Sequence, residues 1–162
     1  MPFTPYHLGP ALAFGLPFRR FIHTPTFIIA NLIVDVEPFI ILMFNFNLPL
    51  HWILHSLWGA TLLGLLTAWI MYLLKEHFET AFKTLKLKCK SYLPFKSYVV
   101  AGVSGAIFHV MLDYPLYRDI KPLYPLTYNP LYNPAITGFI YRFCTYAFIV
   151  GLLEYIIILL KR

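Results

Sequence analysis

The sequence predicts an all-α fold: an integral-membrane helical bundle of about four transmembrane helices, with a short additional helix near the amino terminus. Hydrophobic residues make up 59% of the 162 residues and charged residues only 12%, whereas a soluble domain carries about 25% charged residues. Four apolar stretches also approach or exceed the roughly 20 residues that a helix needs to cross the hydrocarbon of a bilayer. We therefore expect a single integral-membrane domain over residues 1–162.

The apolar stretches define the expected elements in chain order. A first stretch, Leu8–Phe18, is too short to span a bilayer and is interrupted by Pro10, Gly15 and Pro17, which predicts a short interfacial or re-entrant helix. The four candidate transmembrane helices are Phe27–Leu48, Trp52–Leu74, Tyr98–Tyr117 and Thr137–Leu160.

The basic residues predict the orientation of these helices. Ten of the thirteen lie before the first span, between the second and third spans, or after the fourth, and these regions share one side of a four-span bundle. The positive-inside rule places that side in the cytoplasm. The pattern indicates a multi-pass protein of the cell membrane with cytoplasmic amino and carboxyl termini, and it does not indicate nucleic-acid binding. Cys89 and Cys144 share no close spacing, so neither a disulfide nor a thiolate metal site is expected.

Ionisable residues inside the apolar stretches are the main clue to chemistry. Asp35 and Glu37 lie within the first span, and Asp113 lies within the third. A carboxylate at the centre of a membrane helix costs about 2.5–3.5 kcal/mol. These side chains are therefore expected to face the interior of the bundle, where a cation offsets their charge.

Histidines accompany these carboxylates at helical spacing. His51 and His55 are four residues apart at the start of the second span, and so are His109 and Asp113 in the third. On a helix, each pair projects from one face and can present two ligands to one ion. The structural alternatives are an interfacial histidine pair and a plain hydrogen bond between helices.

The Asp35 and Glu37 pair needs a break in its helix to act together. Two residues apart, the side chains point in different directions on a continuous helix, but Pro38 disfavours helical geometry at Glu37. An unwound segment there turns both carboxylates into one cavity, and His7 completes the set. The candidate metal ligands are His7, Asp35, Glu37, His51, His55, His109 and Asp113.

This mixture of imidazole and carboxylate ligands is typical of zinc, with manganese or iron as alternatives, rather than of calcium or copper(I). Zinc is the first expectation. A divalent ion of this kind activates water for hydrolysis while a free carboxylate removes the proton. Glu37 and Asp35 are the candidate general bases.

Two other readings concern charged neighbours of this set. Arg142 in the fourth span is an alternative partner for Asp35 and Glu37 in place of a metal. Asp119 lies in a proline-rich loop and is interpreted as a turn residue.

Several motifs together resemble a known family, the archaeal and bacterial membrane-bound metal-dependent hydrolases, which are small multi-span proteins. The motifs are Met1–His7, Asp35–Pro38, Pro49–Ser56, His109–Asp113 and Asp119–Pro122. The resemblance implies a metal site formed by six residues, with His51 also on a matching motif. The six are His7, Asp35, Glu37, His55, His109 and Asp113.

The chain departs from the family pattern at two positions. Glu37 stands where relatives often have aspartate, and Tyr117 stands near where many have a histidine. If relatives use that histidine as a metal ligand, Tyr117 at this position argues against a second metal ion.

Three hypotheses for function follow. The first is an integral-membrane metal-dependent hydrolase of an ester or phosphoester, with a lipid-linked substrate and the Tyr114–Pro134 loop over its site. The second is a non-enzymatic membrane protein with a structural metal or a proton or ion relay, acting in transport. The third is a subunit of a larger membrane complex. Membrane lipid is the expected partner in each, and nucleic acid is not.

Overall fold

The chain folds as an all-α bundle in a computed structural model that describes residues 5–87 and 93–160. Within these ranges a short 3-10 turn, Pro134–Ile136, precedes the last of seven α-helices. The helices are α1 Pro5–Gly15, α2 Thr24–Ile33, α3 Val36–Met43, α4 Leu57–Leu73, α5 Lys75–Thr84, α6 Phe95–Asp113 and α7 Thr137–Leu160.

Three segments of the described chain are long and apolar enough to cross a membrane, and they match three of the four predicted spans. They are Thr24–Met43, Phe95–Asp113 and Pro134–Leu160. A fourth is obtained if α4 and α5, which meet at an angle of 87°, count as one span. The large apolar side chains left exposed along these helices, such as Trp58 at 70% and Leu160 at 75%, are consistent with a lipid surround.

The predicted start of the second span is wrong. Helix α4 begins at Leu57 and not at Trp52, because Ser56 forms its amino-terminal cap and accepts a hydrogen bond from the Gly59 amide. His51 and His55 consequently lie in the irregular segment before the helix and not on one helical face.

A helix interruption lies slightly before the predicted break near Glu37, but it is not unwound, because Val34 and Asp35 keep helical backbone angles. Helix α2 ends at Ile33 and α3 starts at Val36, with Asp35 as its amino-terminal cap residue. Pro38 falls in the first turn of α3. A missing N–H is tolerated there because first-turn N–H groups have no partner within the helix, whereas in a continuous helix the group would bond the preceding turn.

The predicted short amino-terminal helix is present as α1, but it packs inside the bundle. Tyr6 meets Tyr141 with ring centroids 5.2 Å apart, and a Cβ placed on Gly151 would meet Leu12. The start of α1 therefore packs against the start of α7 and later residues pack against later residues, so the two helices are parallel.

Glycines allow the helices to approach closely. A Cβ on Gly64 would lie 2.5 Å from the Gly102 carbonyl oxygen, which brings α4 and α6 into backbone contact. A Cβ on Gly105 would likewise meet the Phe27 carbonyl of α2. Helix α6 is therefore held between α2 and α4, and its carboxyl-terminal end reaches the ionisable residues.

The bundle has two chemically different ends. The end where α6 finishes, here called the Asp113 end, also holds the starts of α1, α4 and α7. The opposite end carries α5, with Lys75 and Lys83, and the turn with Arg19 and Arg20. We call it the lysine-rich end.

Candidate metal centre

Four predicted residues from three parts of the chain meet at the Asp113 end. His7 comes from α1, Asp35 from the α2–α3 junction, and His109 and Asp113 from the last turns of α6. One potential ligand atom of each lies within 4.8 Å of the others. This set, called the first cluster, is buried except for Asp35, whose side chain is 14% exposed.

Distances within the first cluster suit a common ion. His7 Nε2 lies 3.2 Å from Asp113 Oδ1, and His109 Nε2 lies 3.5 Å from both Asp35 Oδ1 and Asp113 Oδ2. Tetrahedral zinc with bonds of about 2.1 Å separates its ligand atoms by about 3.4 Å. The His7 and His109 rings also stack with centroids 3.8 Å apart.

A second group, the second cluster, comprises His51, His55 and Asp113. Its ligand atoms also lie within 4.8 Å of one another. His55 Nε2 is 3.9 Å from Asp113 Oδ2, and the His51 and His55 rings have centroids 4.7 Å apart. Asp113 therefore belongs to both clusters.

Glu37 lies beside these clusters and orients His55, a candidate ligand of the second cluster. Its carboxylate accepts hydrogen bonds from the backbone amides of Trp52 and Leu54, each at 2.8 Å, and contacts His55 Nδ1 at 2.8 Å. Glu37 therefore fixes the segment before α4 and the orientation of the His55 ring. These three contacts account for the position of the Glu37 carboxylate, and none of them involves Arg142.

Asp119 lies in a turn, as predicted, and its carboxylate also has the same role for His51 as Glu37 has for His55. Its carboxylate lies 3.0 Å from His51 Nδ1 and accepts a hydrogen bond from the His51 amide at 3.2 Å. Burial alone would raise the pKa of Asp119, but the hydrogen bonds and the charge of His51 lower it. The sequence signal that could have revealed it was an acidic residue close after the His109–Asp113 motif.

Several buried polar atoms of the clusters have no hydrogen-bond partner within the described part of the chain. They are both ring nitrogens of His7 and of His109, Nε2 of His55 and Oδ1 of Asp113. His7 Nε2 and Asp113 Oδ1 lie 3.2 Å apart but are not aligned as a hydrogen bond. Buried polar atoms are nearly always satisfied, and exceptions point to a role or to a missing ion. A divalent cation fits, because it would ligate imidazole nitrogens and offset the carboxylates.

Little space is left beside the first cluster. A cavity of about 10 Å³ adjoins His7 and Asp113, which is room for about one water molecule. A larger apolar groove of about 520 Å³ runs between α1 and α7. It shares no lining residue with either cluster, and Arg142 is its charged member.

Six of the seven predicted ligands thus belong to the two clusters, and Glu37 contacts one of them. The break at Asp35 does not direct both carboxylates at one point, because Asp35 faces His109 while Glu37 faces His55. Whether Glu37 also binds a metal stays a prediction.

Comparisons of the chain with family models, with curated proteins and with solved structures give no match. Conclusions about function therefore depend on the geometry of the clusters.

Proposed function

We propose that the protein is an integral-membrane, metal-dependent hydrolase whose divalent ion, zinc first, is held by His7, His109 and Asp113, with Asp35 beside it. The observation that carries this proposal is the convergence of His7, Asp35, His109 and Asp113, together with the buried atoms of the two histidines and of Asp113 that form no hydrogen bond within the described chain. The resemblance of the sequence motifs to membrane-bound metal-dependent hydrolases supports it independently of the geometry.

A divalent ion held there supplies Lewis-acid polarisation of an ester or phosphoester and activates water toward it. Asp35 is the group of the first cluster with the most exposed side chain, at 14%, so we assign it the role of general base and leave the other three residues as ligands. Glu37 was the other candidate, but its two oxygens already bind three donors. We therefore assign Glu37 the positioning of His55.

A proton relay is the competing function, and the geometry favours a metal. A relay needs continuous hydrogen bonds, whereas the His109 contacts with Asp35 and Asp113 are 3.5 Å long and both His109 nitrogens lack partners. The carboxylates of Asp35, Glu37 and Asp113 instead lie among four buried imidazoles, and a divalent ion would offset their negative charge.

Membrane location and a lipid-linked substrate are part of the proposal. The apolar groove between α1 and α7 is lined mainly by aromatic and aliphatic side chains, and Arg142 lies among them. Such a groove suits an acyl chain with a phosphate near its head, because arginine pairs well with phosphate. The groove thus favours a lipid phosphoester over a water-soluble ester.

The orientation follows from the two ends of the bundle. We propose that the lysine-rich end faces the cytoplasm and that the clusters lie in the outer half of the membrane. Because α1 runs from the Asp113 end toward Arg19, residue 5 lies on the outer side. With 11 residues, α1 is too short to cross the bilayer alone, so we place its start within the outer half of the membrane.

The experiment that tests the proposed function measures phosphate release from a short-chain phosphatidic acid in detergent micelles, with and without added zinc. We expect zinc-dependent release that Asp35→Asn abolishes and that His77→Ala, a change of an exposed residue on α5, leaves unchanged. Soluble p-nitrophenyl phosphate and acetate serve as comparison substrates. Folded wild-type protein that binds no zinc, or an Asp35→Asn variant with full activity, contradicts the proposal.

A further inference from the structure

We propose that the second cluster binds a second divalent ion and that Asp113 bridges the two ions. The inference rests on the proposed function, since the first cluster supplies the other ion. Its starting observation is that Asp113 belongs to both clusters and that its Oδ2 lies between His109 of the first cluster, at 3.5 Å, and His55 of the second. Oδ1 lies 3.2 Å from His7, and Oδ2 lies 3.9 Å from His55.

The imidazoles of the second cluster are oriented as metal ligands. A metal-binding histidine usually has its other ring nitrogen held by a carboxylate, which fixes the ring and its tautomer. Glu37 holds Nδ1 of His55 at 2.8 Å, and Asp119 holds Nδ1 of His51 at 3.0 Å. Nε2 of each ring is thereby left for a cation, and Nε2 of His55 is buried without a partner.

The loop that carries Asp119 is fixed in place, so this support is built into the fold. The Asn129 side-chain amide donates to the Tyr114 and Tyr117 carbonyls, both at 3.0 Å. The Tyr117 ring stacks on His51 with centroids 4.1 Å apart. Ile120, next to Asp119, is fully buried.

Each cluster offers three protein ligands once Asp35 acts as the general base. They are His7, His109 and Asp113 in the first cluster, and His51, His55 and Asp113 in the second. Catalytic zinc sites have three protein ligands and an open position, so each ion can bind water or substrate. The Asp119 side chain beside the second cluster is 39% exposed, so the second cluster lies nearer to solvent.

Metal titration of the chelator-treated protein in detergent tests the inference. We expect about two zinc ions per chain in the wild type and about one in His51→Ala. Asp119→Asn should weaken the second ion by roughly 10–100-fold and leave the first unchanged, because it removes only the support of His51. His77→Ala is the matched histidine control and should bind the same amount as wild type.

Manganese provides a spectroscopic readout that does not depend on activity. Ions in two-metal sites lie about 3.5–4 Å apart, so doubly loaded protein should give an exchange-coupled electron paramagnetic resonance spectrum. Asp119→Asn at limiting manganese should give only the spectrum of isolated ions.

The outcomes separate this inference from the proposed function. One ion per chain in the wild type, unchanged by His51→Ala and lost in His109→Ala, overturns the second site and leaves the first. No tight ion in any protein overturns both. If His51→Ala does not purify as a folded protein, Asp119→Asn decides. The inference is overturned if this variant binds each ion with the same affinity as wild type does.

Discussion

Three residues of the first cluster could be recognised from the sequence because each is an ionisable group inside an apolar stretch. Asp35, His109 and Asp113 were predicted for this reason and His7 to complete the set, and the structure places the four together. Asp119 was missed, because it lies in a loop where acidic residues are common. Its partner His51 is also 68 residues away in the chain, a separation at which residue spacing carries no information.

The Glu37 carboxylate should matter for both stability and metal affinity. Glu37→Gln removes a charged acceptor of two backbone amides and of His55, so we expect a loss of about 1.5–3 kcal/mol in the free energy of unfolding. Zinc affinity should fall by roughly 10–100-fold. Thermal unfolding in detergent and zinc titration measure these effects. Glu76→Gln on exposed α5 is the control, and equal results for both variants would refute the assigned role.

His23 should make the protein less stable in acid. It lies just before α2, stacks on Tyr98 with centroids 4.0 Å apart, and burial lowers its pKa from 6.5 to about 4. Between these values the unfolded chain binds the proton more readily than the folded chain. Stability is therefore lost as the pH falls from 6.5 toward 4, by at most about 3 kcal/mol.

The measurement for this effect is the unfolding free energy of wild type and of His23→Gln at pH 7 and pH 4.5. The difference between the two proteins isolates His23 from the cluster histidines, and it should shrink at the lower pH. A difference that stays constant with pH means that His23 does not titrate in this way. His77→Gln, at an exposed position, should show no such change.

At the level of elements, apolar length predicts three spans well because crossing a bilayer sets a minimum helix length. Two features of the helices could not be predicted from apolar length, because they depend on local hydrogen bonds or on packing. The start of α4 is set by the Ser56 cap, which hydropathy does not register. The direction of α1 follows from its contacts with α7, such as Tyr6 against Tyr141, which no periodicity in α1 reveals.

The contact between α4 and α6 gives a prediction at this scale. Gly102→Ala places a methyl group against the Gly64 carbonyl, so the helices must separate, and we expect a loss of about 1–3 kcal/mol in stability. Gly138→Ala is the matched control, since a Cβ there meets nothing within 4 Å. Thermal unfolding in detergent compares them. Equal stability of the two variants would show that α4 and α6 do not pack through these glycines.

For the whole molecule, composition predicts the helical membrane class, and the distribution of basic residues predicts which end faces the cytoplasm. The positions of the clusters relative to those ends could not be predicted from composition, because they depend on how α1 and α6 are oriented. His7 and Asp113 meet at the end opposite Lys75 and Lys83.

Cysteine labelling in intact cells tests this arrangement. In a background without Cys89 and Cys144, a membrane-impermeant maleimide should label Leu126→Cys, an exposed position in the loop at the Asp113 end. Lys83→Cys, on α5 at the lysine-rich end, should react only after the membrane is opened. Labelling of Lys83→Cys in sealed cells would reverse the proposed orientation.

The central claim is that the buried histidines and aspartates at the Asp113 end bind a divalent ion. X-ray absorption spectroscopy of the zinc-loaded protein tests it most directly. We predict nitrogen and oxygen ligands at about 2.0–2.2 Å with the outer-shell scattering of imidazole. This signal should be lost in His109→Ala and kept in His77→Ala. Zinc that is absent, coordinated by water alone, or identical in wild type and His109→Ala would contradict the claim.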